Sequence, residues 1–96
     1  MGYQVGQRVW IPCEVKLGPF PDERTVRIRS EQGEWVGFVP VDALREPVDV
    51  GSTYVRAVIT QVEGARFYAK VAGEPVTSSR FEGTLSGVEP IAAVQA

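Results

Sequence analysis

Few residues of this chain are of a kind that does chemistry. There is one cysteine, Cys13, and there is no histidine and no asparagine. Without histidine the commonest general base and the commonest metal ligand are missing, and neither a Ser-His-Asp nor a Cys-His arrangement can be built. Cysteine-based zinc sites need several thiolates. No glycine-rich loop follows a strand-like run and opens a helix, so a phosphate cradle of that type is absent. Cys13 falls on the apolar side of an alternating segment, where a small buried hydrophobe is a simpler reading than a nucleophile. Asp22 and Glu23 adjoin in a loop and read as solvated side chains. Asp42 reads as a helix cap, and Thr77-Ser78-Ser79 as plain loop. The sequence predicts no catalytic residue, no cofactor and no metal, hence a protein that is not an enzyme.

What remains is binding chemistry. Alternation places Trp10 on the polar side of its segment, beside Glu14 and Lys16, and an exposed tryptophan is a strong anchor for a partner. The competing reading packs Trp10 under the Gly18–Arg24 loop against Phe20. Phe20, between Pro19 and Pro21 in that loop, is a second anchor. Together Trp10, Phe20, Glu14 and Lys16 predict contact with another protein, or with a second copy of the chain, through an edge strand. A second set gives the alternative: Arg27 and Arg29 project from one strand, and Arg66, Tyr68 and Lys70 from another. Cations interleaved with an aromatic suit single-stranded nucleic acid, the ring stacking a base and the cations tracking phosphates. Solvated strand faces carry the same residue types. A third reading is a small structural subunit of a larger assembly.

The elements that must position these groups are short strands. Val9 to Leu17 alternates with period two: Val9, Ile11, Cys13, Val15 and Leu17 on one side, Trp10, Pro12, Glu14 and Lys16 on the other. Pro12 lacks an amide hydrogen, which predicts an edge strand or a bulge there. Thr25 to Ser30 is a second strand with Val26 and Ile28 inward, and Glu31 to Glu34 a hairpin loop. Trp35 to Val41 is a third. It is apolar on both sides, so it is expected to be central or covered on its second face. Asp42 to Glu46 makes one helical turn, stopped by Pro47. After a linker to Ser52, Tyr54 to Val62 is a fourth strand, Glu63-Gly64 a tight turn and Arg66 to Val71 a fifth strand. Ala72 to Ser79 is a loop, and Arg80 to Ser86 is the sixth strand. Val88, Pro90 and Ile91 close one end, and Ala92 to Ala96 frays.

The two halves resemble each other. Val9, Ile11 and Cys13 precede Val55, Ala57 and Ile59 by 46 positions, and Trp35, Gly37 and Val39 precede Phe81, Gly83 and Leu85 by the same interval. Residues 5–46 and 50–91 thus form a weak internal repeat of strand, turn, strand, loop, strand. The matched glycines suggest corners of a small barrel or a close backbone approach. Two such units cannot each bury a core alone but can share one. The expected fold is all-β: one small six-stranded barrel over residues 1–96, possessing two pseudo-symmetric halves.

Gly37-Phe38-Val39-Pro40 followed by Leu44 resembles the strand-proline turn that ends the core of Src-homology-type (SH3-like) barrels. It is similar also to the corresponding corner of oligonucleotide-binding (OB-like) barrels. That resemblance covers about ten residues and implies only the barrel's size and type; the aromatic pairs of the SH3-like peptide groove have no counterparts here.

Composition sets the outer bounds. Ninety-six residues fit one domain, and 44% hydrophobic with 23% charged residues is ordinary for a globular chain. Twelve acidic against ten basic residues give a net charge of −2, interspersed along both halves. A duplex nucleic-acid binder would carry a basic balance or stripe. No apolar run approaches the roughly 18 residues of a membrane helix, and Met1 to Val9 lacks a signal peptide's basic and apolar regions. A single cysteine predicts a reducing compartment, the cytoplasm.

Overall fold

The computed structural model describes residues 3–77, 80–85 and 87–91. Eight strands follow in order: β1 (Arg8–Leu17), β2 (Glu23–Ser30), β3 (Gly33–Pro40), β4 (Gly51–Glu63), β5 (Arg66–Val71), β6 (Glu74–Pro75), β7 (Phe81–Thr84) and β8 (Glu89–Pro90). Period-two alternation drives each long strand. In β1, Val9, Ile11, Cys13 and Val15 are buried while their neighbours face out. All strands join one antiparallel sheet in the order β6-β3-β2-β1-β4-β5-β7, with β8 on β1, curled into a half-barrel. A sheet with one apolar face and no covering helix must curl to hide that face against itself. At the sheet's far side the Ser30 hydroxyl, ending β2, donates to the Glu82 carbonyl of β7 at 2.8 Å.

The strand order β3-β2-β1-β4-β5-β7 reads symmetrically about the β1–β4 ladder, which has a local two-fold axis. In the β1–β4 ladder Val9 lies opposite Ala57, Ile11 opposite Val55, and Trp10 opposite Arg56. A shift of 46 residues carries Val9 to Val55, Trp10 to Arg56 and Ile11 to Ala57, so it exchanges these pairs. The axis therefore passes at the Trp10–Arg56 pair. The outer strands follow it in part: the same shift carries Gly37 to Gly83, while their partners Val26 and Phe67 are 41 positions apart. The hairpins differ in length, and a bulge between Ile59 and Gln61 adjusts the shorter one.

The matched glycines have a common cause. Trp35 folds its ring over Gly37 and Phe81 folds its ring over Gly83, each occupying the place where a side chain would begin. Both aromatics are core, Trp35 1% and Phe81 5% exposed, and Phe81 meets Phe67 edge-to-face at 5.8 Å. Val88 joins the core at one end.

Two expectations are corrected and two others are refined. β1 is not an edge strand; it lies between β2 and β4. Pro12 is tolerated because β1 pairs with β8 only at Val9 and Trp10, and with β2 only from Glu14 onward. Pro12 sits in the gap, where no strand asks for its amide. The six expected strands are present, and among the described residues two more of two residues each join them: Glu74–Pro75, expected as loop, pairs with Gly37 and Phe38, and Glu89–Pro90 pairs with β1. β3 is covered at its outer edge by that two-residue β6, with Val36 and Phe38 half-buried. Asp42 is not a cap: the turn is a 3-10 helix over Val41–Ala43 that starts from Pro40 without a side-chain cap, because Pro40's fixed φ already leads into it. The expectations for Ala92–Ala96, Ser78, Ser79 and Ser86 lie outside the described residues.

Candidate functional site

The residues expected to form one contact are not together. Trp10 and Phe20 stand at opposite ends of β1, and seven residues of strand from Trp10 to Leu17 span roughly 23 Å. Phe20 therefore cannot shelter Trp10; it is 62% exposed in the β1–β2 loop. Glu14 and Lys16 share the outer face with Trp10 but lie toward the Phe20 end, Glu14 at 3.8 Å from Arg29 and Lys16 opposite Thr25.

The nucleic-acid set is also dispersed. β2 and β5 are separated by β1 and β4, about 14 Å across the sheet. Arg27 pairs with Glu34 at 3.3 Å, and Arg29 reaches both Glu34 at 3.6 Å and Glu14. Arg66 pairs with Glu82, which raises its already high pKa through that hydrogen bond and the carboxylate's charge. Arg80 stacks over the Tyr68 ring at 4.2 Å. An open hollow of about 430 Å³ runs along Pro12, Glu14, Arg27, Arg29, Glu46 and Tyr54, but each of its arginines has a carboxylate within 4 Å. Three of the four expected phosphate-tracking cations, Arg27, Arg29 and Arg66, are thus neutralised locally.

A different cluster emerges on the outer face at the two-fold axis. Arg8, Val58 and Lys70 form one row across β1, β4 and β5. Trp10 and Arg56 form the next row, and Pro12 and Tyr54 the one after. Strands are about 4.8 Å apart and alternate residues about 7 Å, so Arg8, Arg56 and Lys70 surround Val58 within roughly 10 Å. Val58 is 37% exposed, and Trp10, Tyr54 and Arg56 are half-buried. Among the described residues none of Arg8, Arg56 and Lys70 has a carboxylate within 4 Å; Arg56 makes a long contact, 3.5 Å, to the Asp42 carbonyl. On Trp10's other flank Glu89 is held by Arg45 at 2.8 Å, and Arg45 lies over the Tyr54 ring at 5.1 Å. In a chain of net charge −2 this is a cationic field around an apolar centre.

Sequence reading put Trp10 and Lys70 on separate surfaces and passed over Arg8, Tyr54 and Arg56. The 46-residue interval carries the missing signal, since it maps Trp10 onto Arg56 and an antiparallel two-fold makes such positions neighbours.

Cys13 stays out of the chemistry. Loss of solvation in the core pushes its thiol from 9.0 up to about 12, against a smaller opposing effect of the Thr53 backbone hydrogen bond. The folded value lies above the unfolded one, so this contribution to stability is intact below about 9 and fades as pH rises toward about 12. At about pH 8 an aromatic disulfide reagent is expected to leave the folded protein unmodified and to titrate the thiol only after unfolding in guanidinium. Rapid reaction of the native protein would contradict this burial.

Among the described residues no His, Cys, Asp and Glu side chains are grouped to hold a metal, and no helix is long and apolar enough to cross a membrane. Compared with protein-family models, with curated proteins and with solved structures, the chain matches none.

Proposed function

We propose that this domain is a non-catalytic binding module whose contact face is the outer surface of the β1–β4 pair, and that its occupant is an acidic segment of another protein. The observation that carries this reading is the cluster at the two-fold axis. Three cations without carboxylate partners among the described residues frame Val58, with Trp10 and Tyr54 alongside. Half-buried aromatics on rigid central strands are pre-ordered anchors that lose little freedom on binding. Cations around them favour a negatively charged partner and speed its encounter. β-addition at β1 has no place here, since β1 is flanked by β2 and β4. Side chains, not a free strand edge, make the contact. The engagement of Arg27, Arg29 and Arg66 by carboxylates favours a protein over single-stranded nucleic acid, which needs a longer cationic track. A cytoplasmic setting fits a protein whose one cysteine is a free, buried thiol.

A photoreactive residue at Val58, introduced in the cells that make this protein, tests the reading. One dominant adduct with an acidic protein is expected, and Trp10→Ala or Arg56→Glu in the same chain should remove it. A nuclease-sensitive adduct would transfer the site to nucleic acid. Adducts indifferent to both substitutions would overturn it.

A further inference from the structure

One ion pair lies across the contact face. Arg45 follows the 3-10 turn, and its amide donates to the Tyr54 carbonyl at 2.9 Å, on the side of β4 away from β1. Glu89 stands opposite Trp10, on the side of β1 away from β4. The two backbones thus flank the β1–β4 pair, and the Arg45 guanidinium meets the Glu89 carboxylate at 2.8 Å. The same guanidinium lies over the Tyr54 ring, 5.1 Å from its centre. Among the described residues no other ion pair spans these two strands. The strap is loosely held. Its side chains are 42% and 46% exposed, and a pair so open to water contributes little. One guanidinium nitrogen, Nη1, makes the hydrogen bond; the other donors of the fork meet no acceptor among the described residues. Glu89 itself belongs to the two-residue β8, whose ladder partners are Val9 and Trp10 alone.

We infer that Glu89 stands in for the partner: its carboxylate occupies, on Arg45 beside Tyr54, the subsite that a carboxylate of the acidic segment takes on binding. This rests on the outer face being the contact for such a segment. The chemistry follows from the fork. A guanidinium holds a carboxylate best through two parallel N–H···O bonds, and Glu89 makes one. A carboxylate arriving from solvent is free to make both. Release of Glu89 also turns a neutral pair into a fourth cation of the face, beside Arg8, Arg56 and Lys70. Arg45 is then the group that selects a carboxylate, and Glu89 restrains its affinity. A strap closed in about three molecules of four weakens apparent binding about fourfold.

The full chain, isotope-labelled and titrated at low salt with the capped peptide Glu-Glu-Leu-Glu-Glu, reports through the Val58 methyl resonances and the Arg45 Nε proton. Both are expected to shift saturably. Glu89→Gln is expected to tighten binding about fourfold, and Arg45→Gln to weaken it. Loss of a negative charge from the face tightens binding a little by itself, so the decisive chain carries both changes. Once Arg45→Gln is in place, adding Glu89→Gln is expected to gain far less than fourfold. An equal gain without Arg45, or no gain from Glu89→Gln alone, would overturn the inference; Val58 would still shift and the contact face would stand. A peptide that moves neither Val58 nor Arg45 would remove the face and the strap together. Resonances of the core are expected to stay in place in every variant, since both side chains are exposed.

Discussion

Alanine at Gly37 is expected to destabilise the domain by about 3 kcal/mol, the upper end of what an added methyl group costs in a packed interior. The added carbon would run into the ring of Trp35 on one side and lie 2.6 Å from the carbonyl oxygen of Glu74 on the other. Neither neighbour can yield. Trp35 is fully buried in the core, and Glu74 belongs to β6, which pairs with β3 at this point. Alanine at Gly83, the equivalent position, meets only the Phe81 ring closely, with Phe67 at 3.7 Å. That ring can tilt, so a cost nearer 1 kcal/mol is expected there. Against a total of about 5–15 kcal/mol for a domain, the first change should visibly lower the urea midpoint and the second much less. Equal effects would mean that the Glu74 carbonyl and the fixed Trp35 ring add nothing to the cost at Gly37.

The difference between these two glycines shows what could be read from the chain and what could not. Their matched placement was visible as an interval of 46 residues. The reason for it, an aromatic two residues earlier lying over the backbone, was not, because alternation reports which side a residue faces and not how far its ring reaches. The all-β class, the inward rows and the sharing of one core by two halves followed from period two and from chain length. Strand order did not. Pro12 pointed to an edge by a sound rule, yet β1 is interior, because a strand can change partners along one side and leave a gap there, here between Trp10 and Glu14. That one misplacement moved the expected contact from side chains to a strand edge.

The same limit dispersed the candidate site. Arg8, Arg56 and Lys70 are far apart in sequence and converge only when β1, β4 and β5 lie side by side. Arg27, Arg29 and Arg66 differ from them in lying beside Glu14, Glu34 and Glu82. Charge content is legible in a sequence; charge that remains uncompensated is a property of the folded surface.

Severing the chain between Val50 and Gly51 should abolish structure altogether in either piece alone. The first piece holds β1, β2 and β3, a meander with its apolar row of Val9, Ile11, Val15, Val26, Ile28 and Trp35 on one side only. The second holds β4, β5 and β7 with Val55, Ile59, Phe67 and Phe81. Neither has a second layer, and pieces of about 50 residues rarely bury enough surface to offset their conformational entropy. Joined, they bring the two rows face to face and add the β1–β4 ladder from Arg8–Val58 to Val15–Gly51. Secondary contacts across the cut favour reassembly: the Tyr3 hydroxyl of the first piece donates to the Val88 carbonyl of the second, and Arg45 of the first holds Glu89 of the second. Circular dichroism of each piece is expected to show a disordered chain, and equimolar mixing to restore the β signal with a concentration-dependent midpoint. Cooperative unfolding of the first piece as a monomer would mean that its core is complete without β4, and the shared interior on which the Trp10–Arg56 axis depends would have to be abandoned.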